Sequence, residues 1–404
     1  MVRNSAAPVI VFGAFDRHNF GDLLFPHILS ALLPARQLIF AGLAKRDLRP
    51  YGGFLVHALP SVVKDWRDEP PVLLHAGGEL MGCDAWEAAV MLQAAEKIQA
   101  TIRRLHGQDD LQRVWAQHCL QIDDAVPYMV SAKRLPPGAR ILYNAVGGVD
   151  IDLKPPEMRG EILSKLAAAD TVGVRDRASL HHLEQAGVPA ILMPDPAALT
   201  AELFTTQITV SATQGEVSRM RAAFPGGYVA MQFSADFGDD ATLYQIEQQV
   251  RCIGRETGYG VVLFCAGLAP WHDDREVYER LAARFSEREL RLFSSAHLWD
   301  VCALIAQSRA YCGSSLHGRI VAMAFGLPRL NLVHDAVSSC PGKQAAYAAS
   351  WDSNQVPSVT PPATLHACFM QALSLPVATR RHIAQHCVPS CRQGFRRLCE
   401  AAGL

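Results

Sequence analysis

Short apolar runs, each followed by a longer stretch with apolar residues at helical spacing, recur along most of the chain. The runs at residues 8–12 (PVIVF), 71–75 (PVLLH), 140–143 (RILY), 171–174 (TVGV) and 190–193 (AILM) predict buried strands. Between them the pattern predicts helices from about residue 22, over 85–105, within 113–130, over 157–169 and over 175–185. Strands that alternate with helices build a doubly wound parallel sheet. Hydrophobic density falls over residues 200–227, where TTQ, SATQGE and FPGG gather turn formers, and this predicts a domain boundary. The alternation then resumes. Strands are expected at 228–233, 260–264, 290–293, 310–312 and 331–333, with helices over 240–254, 275–285, 298–307 and 316–325. The expected division is an N-terminal Rossmann-like domain over 1–205, a linker over 206–227, a second Rossmann-like domain over 228–375 and a helical tail over 376–404. The fold class is α/β.

Composition narrows the function. At 404 residues, half of them hydrophobic, the chain can bury two cores. Lysine and arginine (38) nearly balance aspartate and glutamate (39), which gives no general electrostatic case for nucleic acid or an anionic membrane. An anion site must therefore be local. The eleven cysteines are scattered without a C-x-x-C pair, so reduced thiols and no metal site are expected. No stretch reaches membrane-spanning length, and the first residues lack a signal peptide's long apolar core. The expected compartment is the cytoplasm.

The candidate chemistry centres on residues 308–330, where a strand runs through Gly313, Ser314 and Ser315 into a short helix. A helix start directs free N–H groups and a positive dipole end at whatever precedes it, which suits phosphate. His317 and Arg319 follow in the first turn, one a proton carrier near neutral pH, the other a permanent forked donor. The first strand opens into a loop with Asp16, Arg17, His18 and Asn19, ahead of Asp22. Ligands of open α/β sheets sit beyond the strands' carboxyl ends, so these residues stand where chemistry is expected, although Asn19 and Asp22 would equally serve as helix caps. A second strand ends in Gly77, Gly78 and Glu79, and the loop before the helix over 275–285 carries His272, Asp273 and Asp274.

Five motifs occur in order: G-x5-N-x-G-D (Gly13, Asn19, Gly21, Asp22), the strand into Gly77-Gly78, R-D-x-x-S (Arg175, Asp176, Ser179), P-D-P-A from Pro194, and S-S-L-H-G with A-x-x-x-G-x-P downstream. Together they resemble the polysaccharide pyruvyl transferase family over about residues 10–332. The resemblance implies two Rossmann-like domains in a glycosyltransferase-B-like arrangement, with the site in the cleft between an acceptor-side and a donor-side domain. It implies transfer of the enolpyruvyl group of phosphoenolpyruvate onto two hydroxyls of a sugar as a ketal, with phosphate released and no resident cofactor. The acceptor would be a glycan, or a sugar linked to a lipid or nucleotide.

For such a transfer His317 is the best acid or base by its side-chain chemistry, and Asp22 or Asp16 the candidate base on the acceptor side. Donor binding falls to Arg175, Ser314, Ser315, Leu316 and Arg319. Many members have R-L-H where this chain has Ser315-Leu316-His317, so Arg319 is expected to turn back and replace the missing arginine. His18, Asn19, Gly77, Gly78, Glu79 and His272 are candidates for holding the acceptor. Two readings of other classes remain open. A nucleotide-sugar glycosyltransferase would need a ribose-binding carboxylate, for which residues 331–337 offer only Asp335. A non-catalytic glycan-binding protein would tolerate loss of His317.

Overall fold

A computed structural model describes residues 8–64, 66, 67, 69–334 and 342–404. The chain forms two compact units. One takes the described residues up to His18 with Asp22–Pro196 and Ser390–Leu404; the other takes Asn19–Gly21 and the described residues of Ala197–Pro389.

The first unit is built on eight strands: β1 (Val9–Phe12), β2 (Leu38–Gly42), β3 (Arg46–Asp47), β4 (Leu55–Ala58), β5 (Val72–His75), β6 (Arg140–Val146), β7 (Thr171–Val174) and β8 (Ile191–Leu192). Their order is β3-β4-β2-β1-β5-β6-β7-β8, and every pairing is parallel except that of β3 with β4. Strands β1 and β5 are buried at every position, which is why they read as unbroken apolar runs rather than alternating ones. Phe12 pairs with His75 and His75 with Tyr143, so β1 and β5 end level, β6 runs three residues further, and their loops leave from one edge. The ladder between β6 and β7 shifts register between Tyr143 and Val146, where Ala145 adopts φ 48°. Val146 then pairs with Val174, which brings Gly147 beside Arg175.

The second unit carries β9 (Tyr228–Gln232), β10 (Gly260–Leu263), β11 (Leu290–Leu292), β12 (Ala310–Gly313), β13 (Arg329–Leu332) and β14 (Val359–Thr360). This sheet is wholly parallel in the order β11-β10-β9-β12-β13-β14. Gln232 pairs with Gly313, so the end of β9 lies against the turn that opens the central helix.

Several expectations differ from the fold. Strands β2, β3, β4 and β14 were not predicted. β2 is only half-buried over its first three residues, and β3 and β14 have two residues each, too few to show a period. The expected helix over 85–105 divides into Ala85–Met91 and Ala95–Leu105. The expected linker over 206–227 lies largely in two helices, Thr200–Ala212 and Gly215–Ala223, in the second unit. The threonines of the first lower its helix propensity, but packing overrides it: Ile208 and Ala212 are buried, and the Phe204 ring lies 5.0 Å from that of Trp299. The tail is one helix, Val377–Ala401, with Pro389 inside it and Cys387, Cys391 and Cys399 all buried. The described cysteines form no disulfide. Among the described residues no helix is long and apolar enough to cross a membrane.

Candidate functional site

In the second unit the chemistry gathers at the turn after β12. Ser315 is the N-cap of the helix Leu316–Ala324, its hydroxyl accepting from the Gly318 N–H at 3.2 Å. The turn is tied down from three sides. The Ser315 N–H donates to Gln232 Oε1 at 2.8 Å and the Ser314 N–H to the Gln232 carbonyl at 3.1 Å. Gln344 donates to the Ser314 carbonyl at 2.7 Å, and Asn331 to the carbonyls of Gly313 (2.6 Å) and Ser315 (3.2 Å). The Ser314 hydroxyl accepts from the Ser234 N–H at 3.0 Å. Both serine hydroxyls thus keep their own O–H to donate. Leu316 is buried, which leaves its backbone N–H as all it can offer a ligand.

His317 is buried, and its ring lies against Gly21. A Cβ on Gly21 would overlap the ring at Nδ1 and Cγ, so only glycine fits there. The segment before Gly21 is held by the loop after β10. The Phe20 N–H donates to the Ala266 carbonyl at 2.8 Å, and Asn19 forms a bridge with Gly267. Asn19 Oδ1 also accepts from the Gly21 N–H at 3.0 Å, so its part here is to shape the chain beside His317. The motifs around Asn19 and His317, almost three hundred residues apart in sequence, therefore meet in one unit.

The loop itself rests on Asp273, which the sequence offered beside His272 and Asp274 as a possible sugar ligand and which here ties the loop to β9. Gln232 Nε2 donates to Asp273 Oδ1 at 2.6 Å, and the Ala266 N–H donates to Oδ2. Burial pushes the Asp273 carboxyl up to about 7, although Ala266, Gln232 and Gly267 favour its anion. His272 packs against Gly267, and its carbonyl accepts from the Ala235 N–H at 2.9 Å. The signal for Gln232 was a polar residue ending a buried strand.

Arg319 does not turn back to the helix start. Its guanidinium donates to Asp352 Oδ2 at 2.6 Å, to the Ser358 carbonyl at 2.9 Å and to Asn331 Oδ1 at 3.3 Å. Asp352 also takes Arg329 through both oxygens. Burial alone would raise the Asp352 carboxyl, but Arg319 and Arg329 hold it well below the usual carboxylate range. Arg319 thus braces, through Asn331, the back of the Ser314-Ser315 turn. The expected donor clamp at this position gives way to a structural ion pair, because a carboxylate 33 residues downstream reaches the guanidinium first.

In the first unit Asp16 is likewise committed to structure. Oδ1 accepts from the Tyr128 hydroxyl at 2.7 Å, and Oδ2 accepts from the N–H groups of Leu43 (2.7 Å) and Ala44 (3.1 Å). Burial pushes its carboxyl above the ordinary range against these partners and Arg17. A carboxylate whose two oxygens both hold fixed partners anchors a loop rather than taking a proton from a sugar, so Asp22 is the better placed candidate base. Asp22 stands in the first turn of the helix Phe20–Leu32, on the side facing Gly78 and Arg17. Gly77 and Gly78 take φ of 128° and 91° and pack against the Phe25 ring. The His18 ring meets that of Tyr51 edge-on at 4.6 Å. Arg17 lies 5.0 Å over the Tyr128 ring, a contact the sequence did not announce.

Arg175 lies at the carboxyl end of β7, buried, with its guanidinium against Gly147, where a Cβ would come within 2.5 Å of Nη2. It pairs with Glu79 and, at 3.5 Å, with Asp195. Asp176 caps the helix Arg177–Gln185, accepting from the Ser179 N–H at 2.8 Å and from its hydroxyl at 3.1 Å, and the Gly148 N–H donates to that hydroxyl at 2.9 Å. The R-D-x-x-S and P-D-P-A motifs and the residue after Gly77-Gly78 thus form one buried polar cluster. Asp335, the candidate ribose ligand, lies outside the described residues.

Likeness in fold to solved structures is extensive and likeness in sequence slight. A UDP-N-acetylglucosamine 2-epimerase from Rickettsia bellii superposes with a TM-score of 0.55 at 9% identity, over 98% of this chain and 96% of that one. Anabaena HepE in complex with UDP-glucose gives 0.54 at 10% over 97% and 99%. The UDP-GlcNAc 2-epimerase of Neisseria meningitidis bound to UDP-GlcNAc gives 0.53 at 11%, again over 97% and 99%. These place the fold among two-domain Rossmann-like proteins of the glycosyltransferase-B-like class. No curated protein matches the chain in sequence. The profile described as polysaccharide pyruvyl transferase matches residues 122–335, more than half of the chain. That span takes in Arg175, Asp195 and the Ser314-to-Arg319 turn, and the chain belongs to the polysaccharide pyruvyl transferase family.

Proposed function

We propose that the chain transfers the enolpyruvyl group of phosphoenolpyruvate onto two hydroxyls of a sugar, in a glycan or in a lipid- or nucleotide-linked precursor. The donor's methylene carbon gains a proton, its central carbon gains a bond to each sugar oxygen, and its bond to the phosphate oxygen breaks. Of the two protons the hydroxyls give up, one is balanced by the new methyl group and one leaves with inorganic phosphate.

The observation that carries this reading is His317 in the first turn of a capped helix, its ring fixed by Gly21. A proton carrier next to an anion-attracting helix start is what the donor needs, since its negative charge and its basic carbon belong to one small molecule. Ser314, Ser315 and the N–H groups at the helix start receive phosphate or carboxylate, and His317 moves the proton; the resemblance to the family assigns Arg175 to the donor as its permanent cation. Asp22 takes the hydroxyl proton of the acceptor. Family membership supports the same chemistry.

Calorimetry with phosphoenolpyruvate set against UDP-sugars tests the reading. Phosphoenolpyruvate should bind in the micromolar to millimolar range, more weakly at high salt because the contacts are charged. Binding of a UDP-sugar without any binding of phosphoenolpyruvate would reassign the chain to glycosyl transfer.

A further inference from the structure

Arg175 is one cation facing two carboxylates, and the two differ in freedom. Asp195 is completely buried, whereas the Glu79 side chain keeps 23% of its surface. Glu79 lies in the loop after Gly77-Gly78, outside any helix or strand. Only Oε2 is used in the pair. Oε1 is buried with no hydrogen bond among the described residues. That second oxygen faces a corner with its own cation. A Cβ on Gly82 would lie 3.6 Å from both Glu79 Oε1 and Asp150 Oδ1, and Lys154 Nζ sits 2.9 Å from Asp150 and from the Gly82 carbonyl.

These charges do not admit a further anion as they stand. With Glu79 and Asp195 both ionised, the Arg175 guanidinium already has two carboxylates against it, and a multiply charged donor brought there must compete with both. Asp195 has nowhere to go. Glu79 has both the exposure and a neighbouring cation to receive it.

We propose that Glu79 is the resident counter-ion of Arg175 which the donor's anionic group displaces, its carboxylate swinging toward Lys154, so that Glu79 sets the affinity and selectivity of the donor site. The inference rests on the pyruvyl-donor reading and on Arg175 binding that donor. An anion strong enough to replace a carboxylate enters; a neutral sugar hydroxyl does not, because it offers Arg175 less than Glu79 already gives. Glu79 is thereby a specificity residue of the donor rather than a ligand of the acceptor.

The test is the dissociation constant of phosphoenolpyruvate for the wild type, Glu79→Gln and Lys154→Gln, with cooperative thermal melting as the check on folding. Glu79→Gln removes the competing charge and should tighten binding about tenfold, while Lys154→Gln removes the displaced carboxylate's second partner and should weaken it several-fold. Lys154 is partly exposed, so that variant remains readable even if Glu79→Gln folds poorly. Equal or weaker binding by folded Glu79→Gln, or unchanged binding by Lys154→Gln, overturns the proposal. Wild-type protein that binds no phosphoenolpyruvate overturns the donor reading itself, and this inference falls with it.

Discussion

Two of the buried arginines, Arg175 and Arg319, have similar burial and opposite charge balance. Arg319 and Arg329 share the single carboxylate of Asp352, and the Arg319 fork is further occupied by the Ser358 carbonyl and Asn331. Arg175 faces two carboxylates, one of them partly exposed and on a loop. A cation with several fixed partners is part of the frame. A cation whose partner can leave is available to a ligand. Burial and residue type alone do not separate these cases; the number and mobility of the partners do.

The comparison breaks most visibly in stability. Arg319→Ala leaves Asp352 with one of its two arginines and should cost about 3–5 kcal/mol in chemical denaturation, the range for removing one member of a buried ion pair. A loss below about 1 kcal/mol would mean that the pair with Asp352 does not brace the fold. His317→Ala should leave the fold intact, keep phosphoenolpyruvate affinity within about tenfold and slow phosphate release by roughly 10² or more. Gly21→Ala forces a methyl group into the His317 ring and should reduce turnover by about tenfold, with donor affinity much less affected, because a small misplacement of the proton carrier acts on the chemical step.

The smallest effect lies in pH dependence, and it contrasts two carboxyls of the second unit. Asp352 has a depressed pKa, so its contribution is present above the unfolded value and is lost as the pH falls through the acid range. Asp273 is raised from 3.8 to about 7, so its contribution is full below about pH 4 and is lost as the pH rises through about 7. The slope from one such group is at most about 1.4 kcal/mol per pH unit. Melting curves of Asp273→Asn across this window should show the slope removed, and a slope equal to that of the wild type would mean that Asp273 is charged throughout.

Much of this was legible in sequence because its determinants are local. Buried parallel strands are unbroken apolar runs, and the turn at Ser314-Ser315 announces a cap. The order of motifs carried the family. What was illegible depended on residues far apart in the chain. The spacing of Ser315 and Arg319 places them on one helical face, but the direction of the guanidinium is decided by Asp352 and Asn331. Asp16 resembled a base until Tyr128, 112 residues away, and the Leu43 and Ala44 amides claimed its oxygens. Glu79 stood among acceptor candidates because nothing in the sequence sets it beside Arg175, 96 residues on. The helix Thr200–Ala212 was hidden by threonines that burial outweighs.

The most direct test exchanges each arginine for lysine and measures phosphoenolpyruvate affinity. Lysine keeps the positive charge but not the fork, so Arg175→Lys should weaken donor binding about tenfold, while Arg319→Lys, bracing the turn from behind, should leave it within about twofold of the wild type. The reverse pattern, with donor affinity lost at 319 and kept at 175, would contradict the account.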